Sequence, residues 1–169
     1  FRSAECMRCH NPWAGNAIAF NFEQLNRPSV AVDAGTGAPT QLAALERSGH
    51  LQVAKAPNPL PRLANPYDPA ETEPRRARAW LQANCAHCHR LSAGGSVAVF
   101  LNHEVDDTGT RTLDQRPVRG GFGLDAARIV VPGDPARSTL YYRIQTEGSG
   151  HMPHIGSRLR SEEHTSELQ

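Results

Sequence analysis

Two five-residue stretches carry the chemistry of this chain. Cys6-Met7-Arg8-Cys9-His10 and Cys85-Ala86-His87-Cys88-His89 both read C-x-x-C-H, and together they use all four cysteines. That spacing is the attachment motif for c-type haem. Two thiols add across the two vinyl groups of the porphyrin, and two intervening residues let one helical turn reach both. The adjacent histidine then lies under the iron as the proximal axial ligand. The spacing predicts two covalently attached c-type haems, held by Cys6, Cys9, Cys85 and Cys88, with His10 and His89 on the irons. Three plainer chemistries compete. A zinc ribbon wants its C-x-x-C pairs about 15–20 residues apart, whereas 75 residues separate Cys9 from Cys85. A thioredoxin-type pair wants a βαβ context and has no use for the trailing histidine twice. A disulfide across two residues is a poor staple. His87 reads as a spacer and a surface bystander.

Each iron also needs a second axial ligand or an open site. For the second haem the candidate is Met152, 63 residues after His89. It follows a glycine loop, and Pro153 holds the backbone extended so that a thioether can be presented across the haem face. His151 and His154 are rival ligands. For the first haem no methionine remains, because the only other one, Met7, lies inside a motif. His50 and His103 are the outside histidines that offer an imidazole there. A ligand upstream of the chain and an open site are the other readings.

The elements that must position these groups are short. The chain has 169 residues, 13 prolines and 14 glycines, which imply many turns and long irregular connections. Thr40 to Ser48 reads as a helix with Thr40 as N-cap, Leu42 and Leu45 buried and Gly49 as its stop. Arg75 to Asn84 reads as a helix leading into the second motif, with Pro74 at its first position and Ala77, Trp80, Leu81 and Asn84 on one face. Asp134 and Pro135 start another helix, burying Leu140, Tyr141 and Ile144. Pro12 to Arg27 lacks a clean helical period, and residues 29–39 read as a Gly-rich loop. Val97 to Leu101 reads as a strand within the irregular stretch 90–130, where there is room for a small β-hairpin insertion. The fold class expected is mainly α with long irregular loops, in cytochrome c-like haem units.

Composition excludes several classes. Mean hydropathy is -0.52, and the longest apolar run, Val97 to Leu101, is far short of the roughly 20 residues a membrane span needs. A net charge of +1, from 18 Lys+Arg against 17 Asp+Glu, gives no basic face for nucleic acid. Almost all the positive charge is arginine, which suits pairing with carboxylates. No Ser-His-Asp spacing, phosphate loop or H-E-x-x-H is present.

With these stretches in view, the chain resembles the bacterial exported di-haem c-type cytochromes, whose units are class I cytochrome c-like. The resemblance is carried by Glu5-Cys6 to His10-Asn11, Gln24 to Arg27, Gln41 to Leu45, Ala77 to His89, Val131 to Pro135, and Met152-Pro153 with Gly156-Ser157. It implies haem attachment at the four cysteines, proximal ligands His10 and His89, and Met152 as distal ligand of the second haem. His154 departs from it, standing where a second proline is common. The resemblance also implies a C-terminal helix packed on the 75–84 helix.

The domains expected are a first haem segment over 1–56, truncated at its start, and a Pro-rich connector over 57–74. A second cytochrome c-like domain follows over 75–159, without its last helix. Residues 160–169 resemble a translated sequencing-library adapter and are expected to add nothing to the fold. Haem attachment takes place outside the cytoplasm, so the expected location is periplasmic or outer-membrane associated, with the signal sequence upstream of this chain. The expected role is single-electron transfer between redox partner proteins, without nucleic acid. The alternative is a haem enzyme or ligand sensor, peroxidase-like or a dehydrogenase partner subunit, with an open sixth site at the first haem.

Overall fold

A computed structural model describes residues 3–28 and 39–154. Nearly all of the Gly-rich stretch 29–39, the Gly156-Ser157 pair and the tail 160–169 lie outside the described residues. Five short helices occur in chain order: α1 (Ser3–Cys6), α2 (Phe22–Leu25), α3 (Gln41–Arg47), α4 (Glu73–Asn84) and α5 (Thr139–Gln145). Single 3-10 turns stand at Pro12–Ala14 and Pro135–Arg137. The rest of the described chain is loop, so the fold is few helices held among long irregular connections. No described helix is long and apolar enough to cross a membrane.

The helix ends follow local chemistry. Thr40 Oγ1 accepts from the Ala43 N–H at 3.2 Å, and Gly49 takes the left-handed φ of 74° after the last turn of α3. Leu42 and Ala44 are its buried residues, while Leu45 is half-buried. Asp134 Oδ1 accepts from the Arg137 N–H at 3.3 Å, and Pro135 begins the 3-10 turn that leads into α5. Leu140, Tyr141 and Ile144 are half-buried there, and Thr139 is the deeply buried residue. Helix α4 begins two residues earlier than the 75–84 reading.

The most buried residues of α4 are not those of the Ala77, Trp80, Leu81 and Asn84 face. Its buried residues are Ala79 and Gln82, whereas Ala77, Trp80 and Leu81 are half-buried and Asn84 is exposed. Gln82 can be buried because Oε1 accepts the His103 N–H at 3.0 Å; a polar side chain goes inside when a partner meets it. Arg78 fastens the same loop by donating to the carbonyls of Asn102 and Val105.

The hairpin and the Val97 to Leu101 strand are corrected. Val99, Phe100 and Leu101 donate to Val97, Thr110 and His89 respectively, three separate acceptors rather than one ladder. Among the described residues only isolated parallel bridges occur, Leu113 with Val130 and Arg128 with Ser138. A hairpin needs antiparallel neighbours around one turn, and these bridges join distant segments running the same way. The apolar residues of the run are still buried: Val99 and Leu101 form the core with Ala86, flanked by Leu81, Cys85, Val97 and Ile129.

The connector lies on the first segment. Asn26 Nδ2 donates to the Leu60 and Pro61 carbonyls at 3.3 and 3.0 Å, the Leu63 N–H donates to Glu23 O, and Ala64 is buried. Each bond satisfies a backbone group that a proline-rich strand cannot pair with itself.

Candidate functional site

Both motifs close the same turn. The His10 N–H donates to Cys6 O at 2.9 Å, and the His89 N–H donates to Cys85 O at 2.9 Å. In the second motif this turn continues from the end of α4, where the Cys85 N–H still donates to Leu81 O. Cys85 packs against the Val99–Leu101 core, and burial, with Cys88 nearby, pushes its thiol up to about 12. Cys88 is also pushed up to about 12, by burial first and then by its bond with the Cys9 thiol. Both are neutral thiols at pH 7.

Beside the second motif lies an open, largely apolar cleft. Cys85, Cys88 and His89 line it, and so do Met152, Pro153 and His154 from the far end of the chain. Val97, Val99, Leu101, Ile129, Leu140 and Ile144 give it an apolar wall, and Arg119 and Arg143 bring guanidinium groups to it. The loop that delivers Met152 is tied down on both sides. The Met152 N–H donates to Arg143 O at 2.9 Å, and Arg143 donates back to Gly150 O at 3.1 Å. Arg143 also stands over the Phe122 ring at 4.5 Å, a cation–π contact that leaves its charge partly desolvated.

No family model, curated protein or solved structure matches the chain. The geometry of the cleft therefore carries the functional argument alone.

His89 suits the position of an axial ligand. Its Nδ1 is buried without a hydrogen bond of ordinary geometry. Burial lowers its pKa, the Val99 backbone opposes that shift, and Arg143 and His154 add to it. A neutral imidazole is the form that binds metal. Gly95 is required beside it, because a Cβ there would stand 2.7 Å from Cys88 O and 3.3 Å from His89 Nδ1. Cys85, Cys88, His89 and Met152 thus line one cleft with donor chemistry that suits a haem.

The first motif is more open. Cys6 and His10 are exposed, and His10 Nδ1 is bonded to Asn16 O at 2.7 Å. Of this motif Arg8 and Cys9 reach the cleft. His50 is exposed after α3 and bonded to Ser48 Oγ at 2.8 Å, and no described contact joins it to the first motif. His103 sits instead beside Glu104, at 3.7 Å, with Glu23 close by. His151 turns to Thr146 O at 2.6 Å and does not line the cleft, whereas His154 does.

Two residues escaped the sequence reading. His87 is half-buried beside the thiols of both motifs rather than a surface bystander. Asn11 is 4% exposed. Its amide N donates toward the carbonyls of Arg8, Cys9 and His87 at 3.1–3.2 Å, and Oδ1 accepts from the Ala14 N–H. It is the rivet between the motifs, assisted by Arg90, which donates to Trp13 O at 2.8 Å. No periodicity in the sequence marks either residue, because the contact that matters for each, Asn11 with His87 O and His87 with the Cys9 thiol, crosses to the other segment. Asn11→Ala removes the buried amide that serves the Arg8, Cys9 and His87 carbonyls and is expected to cost about 2 kcal/mol, measured as a fall in the denaturant midpoint.

Acid should loosen the site before it loosens the rest. His89 and His87 both titrate below their ordinary value of 6.5. Burial is the main cause for each; His89, His10 and Arg90 add to the effect on His87. The unfolded chain therefore takes up these protons first. Their stabilising contribution is complete above about pH 6.5 and is lost as pH falls below it. Glu104 gives a separate window. Burial pushes its carboxyl up, but Asn102, its own backbone N–H, His103 and Arg90 outweigh that and hold it below 4.5. Its contribution is lost only below that value. Denaturant midpoints of the haem-free chain across pH 4–8 are expected to be flat above pH 6.5 and to decline below it.

Proposed function

We propose that this chain is an exported di-haem c-type cytochrome that carries single electrons between redox partner proteins. The observation that supports it most is the cleft that gathers Cys85, Cys88, His89 and Met152, residues from opposite ends of the second segment, against an apolar wall. When bound, each haem supplies a one-electron Fe(III)/Fe(II) couple. The chain's own residues do the rest. Cys85 and Cys88 anchor the second haem, His89 and Met152 hold its iron, and the apolar wall keeps water away. Arg119 and Arg143 pair with its propionates. Cys6 and Cys9 anchor the first haem, with His10 on its iron.

The test is a pyridine haemochrome assay with optical spectra on protein made with the c-type maturation machinery. Two covalent haems per chain, both low-spin, are expected. One high-spin haem would move the first site to catalysis or ligand sensing. No covalent haem would overturn the reading.

A further inference from the structure

The two motifs meet at their sulfurs. Cys9 Sγ lies 3.1 Å from Cys88 Sγ, although 79 positions separate them. The donor atoms of Cys9, His87 and Cys88 all lie within 4.8 Å of one another. His87 Nδ1 is buried without a hydrogen-bond partner. The backbone beneath is locked: Asn11 ties Arg8, Cys9 and His87 together, and Cys88 Sγ reaches Arg8 O at 3.3 Å. Gly94 makes this approach feasible, since a Cβ there would stand 2.4 Å from Arg8 O. The haem reading has no use for His87 and does not account for this pairing across motifs.

We propose that, before haem is attached, Cys9, Cys88 and His87 form a site for Zn(II). Two thiolates and one imidazole are three of the four donors of a tetrahedral zinc site, with water completing it. Zinc–sulfur bonds of about 2.3 Å place two sulfurs about 3.8 Å apart in such a site. The observed pair reaches that by a small outward rotation of either side chain. Binding releases two thiol protons to solvent and moves no electrons. Donors of this softness favour zinc over magnesium or calcium. The site stands without the cytochrome reading. With it, one consequence follows: zinc takes one thiol from each motif, so zinc occupancy and haem attachment exclude each other.

The test is a titration of the reduced, haem-free full chain with Zn(II) against a chromophoric chelator. One zinc per chain is expected. Cys9→Ser and Cys88→Ser should each weaken binding roughly 100-fold and His87→Ala roughly tenfold, while Cys6→Ser leaves it unchanged. Two zinc ions per chain, equal losses in Cys6→Ser and Cys9→Ser, or no binding would overturn the site, because each motif would then act alone or not at all. Cobalt(II) substitution reads the thiolate count independently of folding; its sulfur-to-metal band should fall to about half in either serine variant. A chain that attaches haem but binds no zinc sinks this inference only. One that binds zinc but never attaches haem sinks the cytochrome and leaves the site.

Discussion

Met152→His is expected to lower the midpoint potential of the second haem proposed for this chain by on the order of 0.2 V, a fraction of the roughly 0.8 V that axial ligands span. A thioether is a weak donor that favours Fe(II), whereas a second imidazole favours Fe(III). The substitution is well placed to keep the loop. The Met152 N–H is bonded to Arg143 O and Arg143 to Gly150 O, so the backbone is held independently of the side chain. Spectroelectrochemical titration reads the shift. Met152→Ala should abolish the methionine-to-iron charge-transfer band. If both variants keep the parent potential and spectrum, Met152 is not the ligand. His154→Ala then becomes the deciding variant, since His154 lines the same cleft.

Leu101→Ala should cause the largest loss of stability, about 3 kcal/mol, within the 2–5 kcal/mol typical of buried leucines. Leu101 is 2% exposed and packs with Ala86 and Val99 in the core cluster. Its backbone N–H also donates to His89 O at 2.7 Å, so the core and the ligand-bearing turn are one unit. A cavity at Leu101 therefore loosens the support of His89. Denaturant unfolding of the parent and variant, each with its haem content measured, checks the prediction. A change below about 1 kcal/mol would mean that the cleft wall relaxes to fill the gap. Val118, an exposed apolar residue, supplies the control: Val118→Ala removes almost no buried area and should be neutral.

Thr40 and Asp134 were legible as caps because a cap is a contact between neighbours three residues apart. The same holds for the turn of each C-x-x-C-H motif, whose closing bond runs from the histidine to the first cysteine. Neither the Val97 to Leu101 strand nor the hairpin was legible correctly. A β-rich apolar run says that the residues are buried, and Val99 and Leu101 are, but the acceptors of Val99, Phe100 and Leu101 are Val97, Thr110 and His89, not one neighbouring strand. The burial of Gln82 on α4 was not legible for the same reason: it goes inside because the His103 N–H meets it.

The sequence by itself determined the chemistry available to this protein: four thiols in two haem-attachment spacings, a histidine after each, and one free methionine in a Gly–Pro loop. These are properties of residue type and local spacing, which no fold can alter. Only the tertiary structure decided who meets whom. It brings Met152 to the cleft of Cys85, Cys88 and His89, sends His151 away from it, and leaves His50 on the surface. It also sets Cys9 against Cys88 and draws His87 in beside them. The physical reason is that such meetings are made by burial and by bonds between segments. Asn11, Arg78 and Arg90 each donate to a carbonyl from 24 to 77 positions away, and nothing in the local order of residues records where those partners will stand.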